Sequence, residues 1–255
     1  MKVATWNVNS LNVRLPHVLD WLEQHSPDVL VLQEIKQLTD AFPAEEIAAA
    51  GYESLASGQK TYNGVAVIAK HRPKDAVTDF PGFDDPQRRI LASTIDGTRI
   101  VNLYVPNGQS VGSEKYDYKL RWLAALKDFL VEQHRNHEKL IVLGDFNIAP
   151  ADEDVYDPEK WGEDVLCSPP ERAALAEVLE TGLVDVFRNF DQEEKTFSWW
   201  DYRAAGFRRN AGLRIDLILA SAKLAENCIA SYVDKEPRGW ERPSDHAPVV
   251  AEFRQ

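Results

Sequence analysis

The sequence predicts an α/β sandwich, in which two packed, largely antiparallel sheets carry helices on their outer faces. Three observations predict it: eight short apolar runs typical of strands, three helical patterns between some of them, and a tight "DGTR" turn typical of a hairpin. The predicted strands are Val3–Trp6, Val29–Leu32, Gly64–Ala69, Ile90–Ile95, Ile100–Val105, Leu140–Leu143, Leu213–Ala220 and Pro248–Phe253. The chain contains no short repeat, which excludes a solenoid.

The helical patterns are defined by the spacing of their apolar residues. The first has Pro16 near its first turn and an apolar face that includes Val18 and Leu22. The second has leucines at helical spacing, and the third follows the break at Pro169 and Pro170. The predicted helices are Leu15–His25, Tyr116–His134 and Glu171–Glu180.

The chain is expected to form a single domain over residues 1–255. Its length suits one large domain or two small ones, and no low-complexity linker divides it. The polar stretch Ala151–Ser168, which contains a Tyr-Asp-Pro turn, is predicted to be a long surface loop.

Composition restricts the class of protein without choosing its partner. Hydrophobic residues make up 44% of the chain, which allows a large core, and the net charge of −12 argues against a general binder of polyanions. A local basic face could still bind nucleic acid, and part of the acidic excess could surround a metal.

Several features point to a cytoplasmic protein without membrane association. No apolar run approaches the roughly 18 residues of a membrane span, and the N-terminus lacks a secretory signal pattern. Cys167 and Cys228 lie far apart and form no CxxC pair, so both are expected to be reduced thiols.

Polar side chains end or interrupt one predicted strand after another. A carboxylate at such a position is costly to bury unless it is paired, hydrogen-bonded or bound to a cation. A single Asp would be interpreted as a turn or helix cap, but six strand ends that supply carboxylate, carboxamide, phenol and imidazole predict a shared metal-assisted hydrolytic site. The residues are Asn7, Asn9, Glu34, Tyr104, Asn107, Asp145, Asn147, Asp216, Asp245 and His246.

Hydrolysis of a phosphodiester needs a water, an oriented base and stabilisation of negative charge on the phosphoryl oxygens. Mg²⁺ prefers oxygen ligands and keeps several waters, so one or two carboxylates are enough to bind it. The scarcity of cysteines and the absence of an HExxH motif argue against zinc. Asp145 and Asn147 lie two residues apart and would face the same side of an extended segment, which fits a base and a residue that positions its water.

Seven segments of the chain stand out as motifs. They are "TWNVNSLNVR", "LQEIK", "YVPNG", "GDFNIAP", "FSWWDYR", "GLRIDLILAS" and "PSDHAP". The seven motifs occur in this order over residues 5 to 248. Through them the chain resembles the exonuclease III family of DNA-repair nucleases, within the endonuclease/exonuclease/phosphatase superfamily. The resemblance implies a four-layer α/β sandwich, a divalent metal (Mg²⁺, with Mn²⁺ as a substitute) and a role in base excision repair. It also implies cleavage of duplex DNA at abasic sites, 3′-to-5′ removal of nucleotides and removal of blocking 3′ groups.

The resemblance also implies which residues bind the metal. Glu34 would be the main ligand, with Asn7 beside it. Asp245 would be a further carboxylate on the metal side, acting through a water.

The catalytic groups implied by the resemblance lie on the later motifs. Asp145 would be the general base, and Asn147 would orient the water or the phosphate. His246 would contact a phosphoryl oxygen, with Asp216 holding the ring and its charge, and Tyr104 would hydrogen-bond to the phosphate. Which group accepts the proton stays open.

The segment "FSWWDYRAAGFRRNAGLR" interleaves aromatic residues with arginines. This pattern suits nucleic acid, because cations contact phosphates and flat rings contact sugars or bases, but it also fits core aromatics with a rim of solvated arginines. The resemblance implies that Trp199, Trp200 and Leu213 line a pocket for a base-less sugar. Further predicted substrate contacts are Asn9, Asn107, Arg88 and Arg203.

Two lysines, Lys115 and Lys119, lie one helical i,i+4 step apart after "YVPNG". They either clamp the DNA backbones or are plain surface charge, and the spacing does not choose between these interpretations.

Three functions compete at this point. The favoured one is a Mg²⁺-dependent DNA-repair phosphodiesterase that acts, as a monomer, on double-stranded DNA with abasic sites or 3′ ends. The second is a phosphatase or phosphodiesterase on a small or lipid substrate, which would have no use for the arginine-aromatic segment. The third is a nucleic-acid-binding regulator without catalysis, which is disfavoured because the chain has Glu34, Asp145, Asn147, Asp216 and His246.

Overall fold

Two six-stranded sheets form the centre of the computed structural model, which describes residues 1–254. The strands are β1 (Lys2–Asn7), β2 (Val29–Gln33), β3 (Glu53–Ser57), β4 (Val65–Ala69), β5 (Lys74–Val77), β6 (Ile90–Ile95), β7 (Thr98–Tyr104), β8 (Leu140–Asp145), β9 (Leu183–Asp185), β10 (Trp199–Trp200), β11 (Gly212–Leu213), β12 (Asp216–Ser221), β13 (Cys228–Val233) and β14 (Val249–Phe253). The first sheet has the order β13-β14-β1-β2-β4-β3, the second has the order β5-β6-β7-β8-β12-β9, and β10 pairs with β11.

Each large sheet is antiparallel except for one central parallel pair, β1 with β2 and β7 with β8. Residues alternate between the two faces of a strand: Val29 and Val31 of β2 pack against the second sheet, whereas Leu30 and Leu32 face outward. The predicted sandwich of two largely antiparallel sheets is therefore confirmed.

Helices cover the outer faces of both sheets and complete the four layers. They are α1 (Leu11–His25), α2 (Ala44–Ala49), α3 (Glu114–Asn136), α4 (Pro158–Trp161), α5 (Pro169–Leu179) and α6 (Ala222–Ala225). Val18 and Trp21 of α1 pack on the first sheet, and Trp122 of α3 and Leu175 of α5 pack on the second. Within residues 1–254, no helix is both long and apolar enough to cross a bilayer.

The predicted strand Leu213–Ala220 is wrong, because the chain divides it between two sheets. Its first part belongs to β11, which pairs with β10, and its last part is β12 of the second large sheet. Between the two parts, Arg214 binds Asp154. The Arg214 backbone N–H donates to the Asp154 carbonyl at 2.9 Å, and its Nε lies 2.6 Å from the Asp154 carboxylate. The arginine inside an apolar run marks the point where the chain changes sheets.

The other predicted strands and the three helices are confirmed, with shifts at their ends. Helix α1 begins at Leu11 rather than Leu15, so Pro16 lies inside the helix and not near its first turn. The apolar pattern does not predict β3, β5, β9 and β13, which are the four edge strands of the large sheets. Edge strands are partly exposed, and β5 is mostly exposed, so they lack the apolar run that identifies a central strand.

The prediction of a surface loop over Ala151–Ser168 is wrong for part of that segment. Asp154 and Cys167 are buried, and the short helix α4 lies between them. Asp154 is drawn inward because its carboxylate pairs with Arg214. Cys167 and Cys228 are free thiols, as predicted.

Candidate active site

The candidate site lies where the polar ends of the central strands meet. In the two parallel pairs, Asn7 is level with Gln33 and Tyr104 is level with Asp145, so both strands of each pair end at the same edge. Strand β12 is antiparallel to β8 and begins with Asp216 opposite Asp145. The loop before β14 reaches the same edge because β14 is antiparallel to β1. Strand direction thus brings together residues from motifs far apart in the chain.

The backbone at this edge adopts conformations that few residues tolerate. Gly144 has a φ of +152°, and a Cβ there would lie 2.0 Å from the Leu103 carbonyl oxygen, so only glycine lets β7 and β8 approach this closely. Glu34 and Asn147 have φ angles of 52° and 49°, in the left-handed region. Strain of this kind is concentrated at functional sites, where the surrounding structure holds it in place.

Asn7 connects carboxylates from the two sheets. Its Nδ2 donates to Glu34 Oε1 and to Asp145 Oδ2, each at 2.9 Å. Asp145 also accepts from the backbone N–H of Asn147 at 2.9 Å and from its Nδ2 at 3.4 Å. Asn7, Asp145 and Asn147 are buried, so these contacts fix the orientation of the Asp145 carboxylate.

His246 lies between two buried carboxylates. Its Nδ1 is 2.9 Å from Asp216 Oδ2, and its Nε2 is 3.7 Å from Asp145 Oδ2. Burial alone would lower the pKa of His246, but the charges of Asp216 and Asp145 outweigh it and raise the pKa to about 10. The ring is therefore expected to be an imidazolium that faces a carboxylate on each side.

The pKa of Asp145 is raised from its ordinary value toward neutrality. Burial raises the pKa of this carboxyl, the charge of His246 opposes the rise and Asp216 adds to it, with a result of about 7. A pKa near the working pH is what an efficient general base requires.

A second chain of contacts runs from Glu34 to Asp245. Lys36 Nζ lies 2.9 Å from Glu34 Oε2 and donates to Asn9 Oδ1 at 2.6 Å. Asn9 Nδ2 and Trp199 Nε1 each donate to Asp245 at 3.0 Å, on different oxygens. Burial opposes ionisation of Asp245, but the adjacent imidazolium and these two hydrogen bonds lower its pKa below the ordinary value.

Tyr104 and Asn107 complete the site on the side of the second sheet. Burial and then the charge of Glu34 raise the pKa of Tyr104 well above its ordinary value, so the hydroxyl is a neutral donor. The Arg89 guanidinium lies over the tyrosine ring, 4.7 Å from its centroid. Asn107 Nδ2 is 3.3 Å from Asn147 Oδ1. All ten polar residues predicted from the strand ends therefore lie in one connected group of contacts, called here the strand-end network.

The three predicted pocket residues differ in exposure. Trp199 is partly exposed and contacts Asp245, whereas Trp200 and Leu213 are completely buried. Trp199 pairs with Leu213 across β10 and β11, so Leu213 supports the more exposed of the two predicted pocket tryptophans. The pocket itself stays a prediction.

Arg88 and Arg203 lie outside the strand-end network. Arg88 pairs with Asp79 at 3.0 Å, and Arg203 pairs with Asp201 at 3.2 Å. Their predicted contacts with substrate stay predictions.

Two residues that support the network were not predicted. Ser198 Oγ donates to Asp216 Oδ2 at 2.6 Å and accepts from the backbone N–H of Asp216 at 3.1 Å. Lys36 bridges Glu34 and Asn9, as described above. Both lie inside the motifs "FSWWDYR" and "LQEIK", and a polar residue next to a predicted site residue is the signal that could have identified them.

Lys119 and Arg214, the last arginine of the segment "FSWWDYRAAGFRRNAGLR", are completely buried ion-pair partners, although the sequence left open only DNA contact or solvated charge for them. Lys119 pairs with Glu171, and Arg214 pairs with Asp154. Neither interpretation offered for Lys119, a DNA clamp or plain surface charge, is correct. The sequence contains a signal for this burial, because Lys119 lies on the apolar face of its helix, with apolar residues at i+3 and i+4.

The site contains groups that could hold a divalent cation. Asp145, Asp216 and His246 present ligand atoms within 4.8 Å of one another, but a doubly protonated imidazole has no free lone pair to offer a metal. Glu34 and Asn7 add oxygen atoms beside Asp145, and a hard cation such as Mg²⁺ prefers oxygen. Within residues 1–254, the buried Asp216 Oδ1 has no hydrogen-bond partner. This oxygen-rich and incompletely neutralised set of donors fits a hard cation.

The fold and the strand-end network together define a class: a hydrolase built on a four-layer α/β sandwich, with a buried site of carboxylates, carboxamides and one imidazolium.

Comparisons with known proteins specify the class further. Residues 4–246 match the family described as "Endonuclease/Exonuclease/phosphatase family". Exodeoxyribonuclease III of Haemophilus influenzae is 38% identical over 268 residues, which cover 100% of both chains. Two solved structures also cover 100% of both chains: the 3′-5′ exonuclease NExo from Neisseria meningitidis (50% identity, TM-score 0.98) and an AP endonuclease from Archaeoglobus fulgidus (38% identity, TM-score 0.96). The chain belongs to the endonuclease/exonuclease/phosphatase family and, within it, to the exonuclease III group of enzymes, which confirms the resemblance found in the motifs.

Proposed function

We propose that this enzyme is a Mg²⁺-dependent DNA-repair phosphoesterase that acts on duplex DNA, with removal of 3′ phosphates and 3′ nucleotides as its leading activities. The observation that carries the proposal is the buried Asp145 carboxylate, which Asn7 holds and His246 faces where the two sheets meet. The 3′-5′ exonuclease NExo is 50% identical to this chain, and so is a second solved structure, the 3′ phosphatase NExo from Neisseria bound to a product DNA hairpin; both favour these activities.

Asp145 is the residue best suited to orient and deprotonate the attacking water. Asn7 and the Asn147 backbone hold its oxygens, and a pKa near neutrality lets the carboxylate accept a proton at physiological pH. The Asn147 carboxamide lies next to it and would align the water with the phosphorus.

The negative charge of the phosphoryl group would meet His246 and Tyr104. The His246 imidazolium, which Asp216 orients, donates to a phosphoryl oxygen, and the neutral Tyr104 hydroxyl donates to another. Because both donors are held in place before the reaction, they stabilise the transition state without reorganisation.

Glu34, with Asn7 beside it, would hold the Mg²⁺, and Asp245 would bind one of its waters. The cation would supply positive charge for the phosphoryl oxygens and for the departing oxygen. Lys36 and Asn9 link Glu34 to Asp245 and hold the two carboxylates in fixed positions relative to each other.

A groove beside Asn107 supports DNA as the substrate. Its volume is about 770 Å³, and its lining includes Arg89, Lys115, Tyr62 and several carboxamides but, among the described residues, no carboxylate. In a chain of net charge −12, a groove free of carboxylates suits a phosphate backbone.

Cleavage at abasic sites is a second candidate activity of the same site. The AP endonuclease from Archaeoglobus fulgidus, at 38% identity, favours it, and so does the partly exposed Trp199 beside Asp245. A base-less sugar loses little stacking when it leaves the helix, and a flat aromatic ring can receive it. The same hydrolytic groups would serve both activities.

One assay tests these proposals together. The protein is incubated with Mg²⁺ and three labelled duplexes, which carry a 3′ phosphate, a recessed 3′ hydroxyl end or an internal abasic analogue. We expect release of phosphate and of nucleotides from the first two, with cleavage of the third as the test of the second activity. If none of the duplexes reacts while inositol phosphates or nitrophenyl phosphate do, the substrate is small and the DNA proposal is wrong.

A further inference from the structure

Lys119 of α3 is a completely buried lysine that no proposed role uses. Its ammonium group donates to the Asn147 carbonyl at 2.7 Å and to the Asn107 carbonyl at 3.2 Å, and it pairs with the Glu171 carboxylate. An ammonium group has three hydrogens, so these three acceptors use all its donors.

The two carbonyls belong to the loops that follow the parallel strands β7 and β8. These loops carry the Asn107 and Asn147 carboxamides, which lie 3.3 Å apart in the strand-end network. Within residues 1–254, neither carbonyl accepts from any group other than Lys119. The ammonium group is therefore the one hydrogen-bonded link from these two carbonyls to helix α3.

The loop after β7 also packs directly on the Lys119 stem. Gly108 has a φ of +93°, and a Cβ there would lie 3.1 Å from Lys119 Cδ and 3.5 Å from Tyr116 Cδ2. Glycine lets the loop backbone approach the lysine this closely.

Glu171 holds the ammonium group from the opposite side. Its buried carboxylate accepts from the backbone N–H groups of Leu166 at 3.1 Å and Ser168 at 3.2 Å, and from the Ser168 hydroxyl. The Tyr116 hydroxyl lies 2.6 Å from Ser168 Oγ, so α3 and α5 are joined around the ion pair. Fully paired buried polar groups of this kind restrict a region to one arrangement.

The Lys119–Glu171 ion pair contributes more to holding the two loops in place than to the stability of the folded protein. Removing two charges from water largely offsets their attraction, so an apolar pair of similar volume would stabilise the α3–α5 contact at least as well. Burial lowers the pKa of Lys119, and the charge of Glu171 and its hydrogen bond to the ammonium group oppose that change. An apolar side chain would fill the same space but would release the two loops.

We propose that Lys119, anchored by Glu171, is a positioning residue that fixes the Asn107 and Asn147 loops relative to Asp145. The inference rests on the proposed function of that site. Releasing the loops would displace the two carboxamides from the reacting phosphate, and such displacement lowers kcat more than it raises KM.

The test compares three variants for release of phosphate from a duplex with a 3′ phosphate. Lys119→Met removes the ammonium group, and Lys119→Met with Glu171→Gln also removes the carboxylate charge that the first change leaves unpaired. Lys127→Met is the matched control, because Lys127 forms an exposed ion pair with Glu177 at 2.9 Å between the same two helices. Thermal midpoints, kcat and KM are measured for each.

We expect Lys119→Met to lower both the thermal midpoint and kcat. In the double variant the midpoint recovers, but kcat stays about 10- to 100-fold below that of the wild type with a much smaller change in KM. Lys127→Met has wild-type kcat and midpoint. If Lys119→Met does not fold, the double variant carries the test alone.

Hydrogen exchange provides a readout that does not depend on turnover. Amides in residues 105–110 and 145–150 of the double variant exchange faster than those of Lys127→Met, while the core of α3 stays protected. If the double variant regains both stability and wild-type kcat, with unchanged exchange in the loops, Lys119 is only structural and the inference is overturned. A wild-type protein that does not act on the duplex would instead overturn the proposed function and the inference with it.

Discussion

Two buried groups of charged side chains differ in how completely their charges are paired. In the first, called here the Arg214 brace, the guanidinium Nε lies 2.6 Å from Asp154, its Nη1 lies 2.8 Å from Asp185, and its carbon lies 4.6 Å from the centroid of the Phe187 ring. Burial alone would lower the pKa of Arg214, but the two carboxylates raise it. Asp154 also pairs with the guanidinium of Arg188, so two arginines face the two carboxylates and each charge in the brace has a partner of opposite sign.

The strand-end network has more negative charge than its cations neutralise. Asp145 and Asp216 share the single imidazolium of His246, and burial shifts the pKa of Asp145 toward neutrality. Glu34 has only Lys36, whose ammonium group it shares with Asn9.

The difference separates a structural group from a reactive one. A buried charge that is fully paired has no remaining capacity for a ligand, and its removal damages folding. A group with unbalanced acidic charge is costly for the empty protein but is ready for a cation, a proton or a phosphate.

The largest expected effect comes from Asp145→Asn in the strand-end network. We expect kcat to fall by about 10²- to 10⁴-fold, because the variant cannot accept a proton, while DNA binding and the thermal midpoint are kept. The matched control is Asp154→Asn in the brace, which we expect to lower the midpoint and keep the kcat of the folded protein. Normal turnover by Asp145→Asn, measured with the 3′-phosphate duplex, would show that the base has been misassigned.

Arg214→Met tests the other side of the comparison. It leaves Asp185 without a cation and Asp154 with only the more exposed Arg188, so we expect the free energy of unfolding to fall by about 3–5 kcal/mol. Urea denaturation measures this loss, and kcat of the folded fraction is expected to stay at the wild-type value. A brace variant with wild-type stability and reduced kcat would remove the distinction between the two groups.

The sequence predicts the central strands and their polar ends, because a buried strand needs an apolar run and a carboxylate at its end stands out. Asp145 and Asn147 are identified in this way. Their pairing with Asn7 from the first sheet depends on strand order, which the apolar pattern alone does not give.

The pairing of buried charges is harder to predict from the sequence. The partners of Lys119 and Arg214 lie far along the chain, because Glu171 is 52 residues from Lys119 and Asp154 is 60 residues from Arg214. The edge strands are missed for a different physical reason, because their exposed side chains follow no apolar pattern.

Glu34→Gln tests which part of the strand-end network binds the metal. The substitution keeps an oxygen that can accept from Asn7 but removes the charge, so we expect the Mg²⁺ concentration for half-maximal rate to rise about tenfold or more. Asp185→Asn in the brace serves as the control, with an unchanged Mg²⁺ requirement. An unchanged requirement in Glu34→Gln would place the metal at other residues.

The smallest effect concerns stability as a function of pH, measured in EDTA. The pKa of His246 is raised from 6.5 to about 10 in the folded protein, so its contribution to stability is complete below pH 6.5 and is lost as the pH rises toward 10. We expect the urea midpoint of the wild type to decline over this interval and that of His246→Gln to decline less. Parallel pH profiles for the two proteins would indicate a neutral imidazole.

The central claim is that strand ends from both sheets form one oxygen-rich metal site that acts on a phosphate at a DNA 3′ end. The most direct measurement is anomalous diffraction from crystals of Asp145→Asn grown with Mn²⁺ and a duplex that carries a 3′ phosphate. We predict an anomalous peak within bonding distance of a Glu34 oxygen, with the 3′ phosphate between that peak and His246. A peak remote from Glu34, or a 3′ end bound outside the strand-end network, would contradict the account.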